Sequence, residues 1–127
     1  MEYSDLCSEI LKIDRKIRFV GIYDEGILCS KIREGITPHL NKDETEISLS
    51  QSVYQWANRK KLASKIGNPL FSMTQYEKIN RITIPIRRAG LILVSTEVDS
   101  NPKEVAQKII QLREKFESQL LVEVKHS

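Results

Sequence analysis

Leu91-Ile92-Leu93-Val94-Ser95-Thr96-Glu97 is the stretch that decides the fold. On a strand, Leu91 and Leu93 project to one side and Ile92 and Val94 to the other, so both faces are apolar. Ile17 to Tyr23 repeats the pattern, with Val20 and Ile22 on one face and Phe19 and Tyr23 on the opposite one. Two strands buried on both faces belong side by side at the centre of a sheet, with helices covering it above and below.

The remaining elements arrange themselves around that pair. Ser4 caps a first helix that carries Asp5 in its first turn and runs to about Asp14, with Leu6, Ile10 and Ile13 on one side. Asp24-Glu25-Gly26 is a hairpin turn and Ile27 to Ile32 its return strand. Arg33 to Lys42, with Gly35 and Pro38, is a loop. A long helix is expected from about Asp43 to Ile66, with Asp43 and Glu46 at capping-box spacing and Gly67-Asn68-Pro69 as its stop. Strands follow at about Leu70–Tyr76, Ile79–Ile86 and Leu91–Glu97. In the second of these, Ile82, Ile84 and Ile86 alternate with Arg81, Thr83 and Pro85, a one-sided pattern that suits a more peripheral place. Asn101 caps a last helix that opens on Pro102 and carries Val105, Ile109, Leu112, Phe116 and Leu120 as one stripe.

The expected fold is therefore α+β, a three-layer α/β/α sandwich with element order α-β-β-α-β-β-β-α. Its five-stranded antiparallel sheet has the order 2-1-5-4-3, with the long helix on one face and the two terminal helices on the other. Residues 1–121 make a single domain, and 122–127 should fray.

Composition agrees with one globular unit. The chain has 127 residues, 40% of them apolar and 29% charged, with 5 Gly and 4 Pro, which excludes disordered, collagen-like and low-complexity classes. A chain of this length buries roughly 65–70% of the surface its unfolded form exposes, so no metal or disulfide staple is required. The two cysteines, Cys7 and Cys29, lack a C-x-x-C spacing and fit buried thiols in a reducing compartment. Met1 to Asp5 lacks a basic leader, and no stretch approaches the roughly 18 apolar residues of a membrane span. The expectation is a soluble, cytoplasmic protein with no membrane partner.

Catalytic patterns are missing. His39 in a loop and His126 near the end stand at no metal-ligand spacing, and Cys29 has neither a nearby His nor a helix N-terminus to activate it. The sequence has no G-x-x-x-x-G-K-[ST], G-x-G-x-x-G or G-x-S-x-G. A non-enzymatic protein is expected, with no catalytic, metal or cofactor-binding residues and no cofactor.

Charge distribution is more informative than its sum. The formal net charge is +3. Between Ala57 and Gly90, however, eight basic residues face one acid, Glu77, for a local +7, and the rest of the chain carries −4. Arg59, Lys60, Lys61, Lys65, Arg87 and Arg88 form a candidate basic docking face for an acidic protein. The plainer alternatives are complementation of the helix dipole and simple solvation. Nucleic acid is a weaker alternative partner, because only 6% of residues are aromatic and few lie near the cations.

The long helix adds two candidates. At about 100° per residue, Leu49, Val53, Trp56, Ala57 and Ala63 face the sheet, whereas Ile47, Tyr54 and Leu62, interleaved with Gln51 and Asn58, point away. That outer seam suits a second copy or a partner helix, although scattered surface apolar residues are also ordinary. The two edge strands offer a competing route to dimers by strand addition. A different class of function, a small-ligand sensor, would place a pocket between sheet and long helix, lined by Phe19, Tyr23 and Trp56.

The element order resembles that of roadblock-type domains, which share a profilin-like architecture. Ile17-Arg18-Phe19-Val20-Gly21-Ile22, Lys31-Ile32-Arg33-Glu34-Gly35-Ile36-Thr37-Pro38, Arg59-Lys60, Tyr76-Glu77-Lys78 and Leu91 to Glu97 are also similar to small proteins of ammonia-oxidising archaea, over roughly residues 17–110. That archaeal resemblance brings no activity with it. The roadblock resemblance implies a homodimeric regulatory module that docks a small GTPase or another signalling protein.

Overall fold

In the computed structural model, which describes residues 2–126 with side chains through Leu121, β5 (Gly90–Glu97) lies between β1 (Ile17–Asp24) and β4 (Ile79–Ile86). It pairs antiparallel with both. β2 (Ile27–Ile32) and β3 (Ser72–Gln75) form the edges, giving the expected order β2-β1-β5-β4-β3. Cross-strand rows Val20–Val94–Ile82 and Ile22–Ile92–Ile84 make one face of the sheet. All six side chains are fully buried.

That face is tiled by α1 (Tyr3–Leu11), through Leu6, Cys7 and Ile10, and by α4 (Pro102–His126), through Val105, Ala106, Ile109 and Phe116. The Tyr3 and Phe116 rings meet with centroids 5.6 Å apart and so tie the two helices together. The other face carries Phe19, Gly21, Tyr23, Leu91, Leu93 and Ser95, and it lies under α2 (Lys42–Lys60). A one-turn helix, α3 (Ala63–Ile66), follows.

A bulge corrects the simple alternation expected of β1. Ile17 pairs with Thr96 and Phe19 with Ser95, so Arg18 is the extra residue. Ile17 thereby joins Val20 in the α1/α4 core instead of sharing the side of Phe19. Arg18 is bound to Glu97 at 2.7 Å and donates to the Thr37 carbonyl at 2.9 Å, which fastens the loop before α2 to the sheet.

Several element ends differ from expectation. Glu2, not Ser4, caps α1 in a reciprocal box with Asp5, and the helix stops at Leu11 rather than Asp14. Arg33 supplies the reason for the early stop. It donates to the carbonyl of Leu11, the last helical residue, and to those of Asp14 (2.9 Å) and Ile17 (2.7 Å), so it ties the open helix end to the turn and the start of β1.

The long helix begins two residues early because Asn41 is the better cap. Its side chain accepts from Glu44 N at 2.9 Å, and Glu44 reaches back to Asn41 N at 3.0 Å. The helix also breaks after Lys60, with Lys61 and Leu62 in a turn before α3. No Gly or Pro marks that break, so the sequence carries no signal of it. Gly67 ends α3 at φ 93°, the positive φ expected there. β3 is shorter than the expected Leu70–Tyr76. The helix α4 runs to His126, and the side chains of 122–127, where fraying is expected, lie outside the described residues.

Turn chemistry follows the sequence closely. Glu25 and Gly26 both have positive φ, 51° and 82°, as a two-residue hairpin turn requires. A Cβ at Gly90 would lie 2.9 Å from the Ile86 carbonyl oxygen, so only glycine closes the β4–β5 turn without displacement. Asn80, buried on β4, donates to the Glu97 and Val98 carbonyls at 3.3 Å and holds the chain as it leaves β5 for α4.

Two ionisable groups, the buried Cys7 and the half-buried Tyr3, make the fold sensitive to base. Burial pushes the Cys7 thiol up to about 12, and burial with the hydrogen bond to Asp24 pushes Tyr3 up to about 12. Both folded values exceed the ordinary ones, so the stability they contribute is complete below pH about 9 and is lost progressively towards pH 12. Urea midpoints should therefore fall as pH rises above about 9. Cys7→Ala should flatten the curve between about pH 9 and 10, leaving the Tyr3 contribution above it. An unchanged slope in that window would contradict the assignment to Cys7.

Candidate functional site

The two helical layers are not equally tight. α1 and α4 together bury seven side chains in the core, whereas Ser52 and Trp56 are the buried residues of α2. Leu49 and Val53 are half-buried, and Ala57, expected to face the sheet, is exposed. Polar Thr45 and Ser48 occupy the inner side of the first two turns, where larger apolar residues would have closed the interface. What remains under that end of α2 is a pocket of about 80 Å³.

Its walls come from five elements, with Phe19 on β1, Leu28 on β2, Ile79 on β4, Leu93 on β5 and Leu49 on α2, and from Leu40 in the loop before α2. A Cβ at Gly21 would lie 3.1 Å from the Phe19 ring and 3.3 Å from Leu28, so the glycine makes room for both walls. Of the three residues expected to line a pocket, Phe19 does. Tyr23 lies two rungs beyond Gly21 along the strand pair, and Trp56 sits about two turns after Leu49 on the helix, so both fall outside it. The periodicity that picked out Trp56 locates the helix face but not where that face is underpacked.

Arg81 is the residue the sequence reasoning missed. It lies on β4 opposite Ser95 and lines the pocket. The guanidinium donates to Ser48 Oγ, its buried Nε has no hydrogen-bond partner, and no carboxylate among the described residues pairs with it. Burial pulls its pKa down. The neighbouring Arg18, by contrast, is neutralised by Glu97. Arg81 also borders an open groove that contains Ile47, Gln51, Tyr76 and Lys78, so the pocket and the surface meet at its side chain. The signal in the sequence was the single Arg within the one-sided Ile82/Ile84/Ile86 alternation, where it had been counted with the surface cations.

The candidate docking cations divide. Arg59, Lys60, Lys61, Lys65 and Arg88 are exposed. Arg59 and Lys60 lie in the last turn of α2, where they complement the helix dipole. Arg87 is not free. Its guanidinium lies 4.0 Å from Asp24 and 3.5 Å from the Tyr3 hydroxyl, and its backbone N–H donates to Glu117 at 2.6 Å. It belongs to a clasp between the β4–β5 turn, the β1–β2 turn and the terminal helices.

Ile47, Gln51, Tyr54 and Asn58 are exposed on α2, with Leu62 exposed in the turn after it. Ile66, Leu70, Met73 and Tyr76 continue the exposed apolar surface through α3 to β3 and its turn. Among the described residues, no group of three or more His, Cys, Asp or Glu is arranged to hold a metal, and no helix is long and apolar enough to cross a membrane.

No protein-family model and no curated protein sequence matches the chain. Solved structures do. A roadblock/LC7 domain from Streptomyces avermitilis superposes with a TM-score of 0.73 at 7% identity, covering 95% of this chain and 99% of that one. MglB of Myxococcus xanthus gives 0.72 at 16% identity over 94% of both chains. An MglB in a tetrameric arrangement gives 0.57 at 17% identity over 87% of both. At such identities the likeness is one of architecture, and on that ground the chain has a roadblock/LC7-type fold.

Proposed function

We propose that this chain is a non-enzymatic regulatory module that acts as a homodimer and docks an acidic partner, a small GTPase or another signalling protein. The observation that carries the dimer is a clustering of exposed apolar side chains. Seven of the ten large hydrophobic residues exposed among the described ones fall between Ile47 and Tyr76, on α2, α3 and the β3 edge. Tyr54 is 70% exposed and Ile66 80%. Concentrated on one stretch rather than scattered, they favour an interface over an ordinary surface. The outer face of α2 and the open edge of β3 then act together rather than as competing routes. The tetrameric arrangement of a structurally similar MglB is consistent with self-association on this fold.

The acidic partner is argued from Arg59, Lys60, Lys61, Lys65 and Arg88. These exposed cations have no ion-pair partner among the described residues, and four of them follow one another around the end of α2 and into α3. Unpaired like charges repel one another in the free protein and are relieved by an acidic surface, which also speeds the encounter.

Light scattering at micromolar concentration should give twice the chain mass for the wild type. Tyr54→Lys with Leu62→Glu should weaken the dimer by a factor of about 100, since central aromatic anchors dominate such interfaces. A wild-type monomer, or a double variant that dimerises as well as the wild type, would remove the dimer from the proposal. For the docking face, a protein captured from host extract at low salt should be released at high salt and lost when Arg59, Lys60 and Lys61 are reversed to Glu. Identical capture by both baits would return those cations to dipole complementation and solvation.

A further inference from the structure

The pocket beneath the first turns of α2 combines an apolar body with one uncompensated cation. Phe19, Leu28, Leu49 and Leu93 offer carbon surface, and Arg81 offers charge. A guanidinium withdrawn from water without a counter-ion is costly, and a buried N–H without an acceptor adds to that cost. Arg81 is half-buried and carries both deficits in part: its hydrogen-bond partner is the neutral Ser48 hydroxyl, and its buried Nε is unsatisfied. An anion that meets the terminal nitrogens of the guanidinium from the pocket would supply the missing counter-charge.

Geometry selects the kind of anion. The planar guanidinium matches a carboxylate through two parallel hydrogen bonds, and Ser48 stands beside it as a further polar contact. Of the two arginines that line the pocket, Arg18 is already paired with Glu97 at 2.7 Å, which leaves Arg81 as the unpaired one and favours a singly charged anion; His39, from the loop before α2, also lines the pocket. The volume, about 80 Å³, is roughly half that of the ~150 Å³ apolar cavity known to admit benzene, so only a short chain fits. The open groove along Arg81 provides the way in.

We infer that this pocket binds a short aliphatic monocarboxylate of about three to five carbons, its carboxylate on Arg81 and its chain against Phe19, Leu28 and Leu93. The inference rests on the pocket and not on the docking proposal; because the entrance groove shares Ile47, Gln51 and Tyr76 with the proposed dimer seam, the titration is run on the wild type and on the Tyr54→Lys, Leu62→Glu chain, in which a dimer cannot cover that entrance.

The test titrates the isotope-labelled full chain with butyrate and, separately, with the isosteric neutral butyramide, following backbone amide shifts. Butyrate should move the amides of Phe19, Arg81 and Leu93 and bind at least about tenfold tighter than butyramide, the difference of about 1.4 kcal/mol expected for a charge-assisted contact. Arg81→Gln should abolish that preference. Gly21→Val, which crowds Phe19 and Leu28 while leaving Arg81 intact, should weaken both ligands. The inference is overturned if butyrate gives no shifts at millimolar concentration, or if shifts are confined to surface lysines. Butyramide binding equally well, or inorganic phosphate displacing butyrate, would also overturn it. The wild-type comparison needs no variant, so it decides the matter even if Arg81→Gln or Gly21→Val does not fold.

Discussion

The pairing of β1 with β5 is the constraint on which everything else depends. Both strands carry apolar side chains on both faces, so the sheet cannot leave either face to water. Helices must cover it twice. The chain meets that demand with α1 and α4 on one side and α2 on the other, and the quality of the two covers differs. On the first side, isoleucine and valine rows meet Leu6, Ile10, Ile109 and Phe116 in a closed core. On the second, Thr45 and Ser48 stand where the core would need larger apolar groups.

Function, on this account, gathers in the looser layer. The inner side of α2 leaves a small pocket with an unpaired arginine. Its outer side leaves an apolar surface that runs on to the β3 edge. The same helix therefore borders both a candidate ligand site and a candidate interface, which share the groove along Ile47 and Gln51. The tighter layer has a different role. Tyr3, Asp24, Arg87 and Glu117 clasp its turns, and Arg33 ties the open end of α1 to the start of β1. These are groups of a scaffold, and they hold turns and helix ends together.

The architecture was legible because it rests on periodicity and turn residues. The doubly apolar Leu91 to Val94 run, the Glu25-Gly26 turn and the Asn101-Pro102 helix start each state their structure locally. Element ends were less legible because they depend on contacts distant in sequence. Arg33 stops α1 from more than twenty residues away, and Asn41 outcompetes Asp43 as a cap only once its reciprocal bond with Glu44 is in place. The break after Lys60 has no local signature at all. For the site, the exposed seam followed from helical spacing, whereas Arg81 did not. Charge counting along the chain cannot distinguish a solvated arginine from one folded under a helix. Arg87 was hidden in the same way, since its partners Tyr3, Asp24 and Glu117 come from three separate elements.

The central claim is that the outer face of α2 and the neighbouring β3 edge are covered in solution by a second copy of the chain. Hydrogen–deuterium exchange measured across a range of protein concentrations addresses this directly, because protection at an interface rises with association while protection in the core does not. The account predicts slower exchange with increasing concentration in α2 and β3, with α1 and α4 unchanged. Exchange in α2 and β3 that is independent of concentration throughout the range, in a chain that stays monomeric, would contradict it.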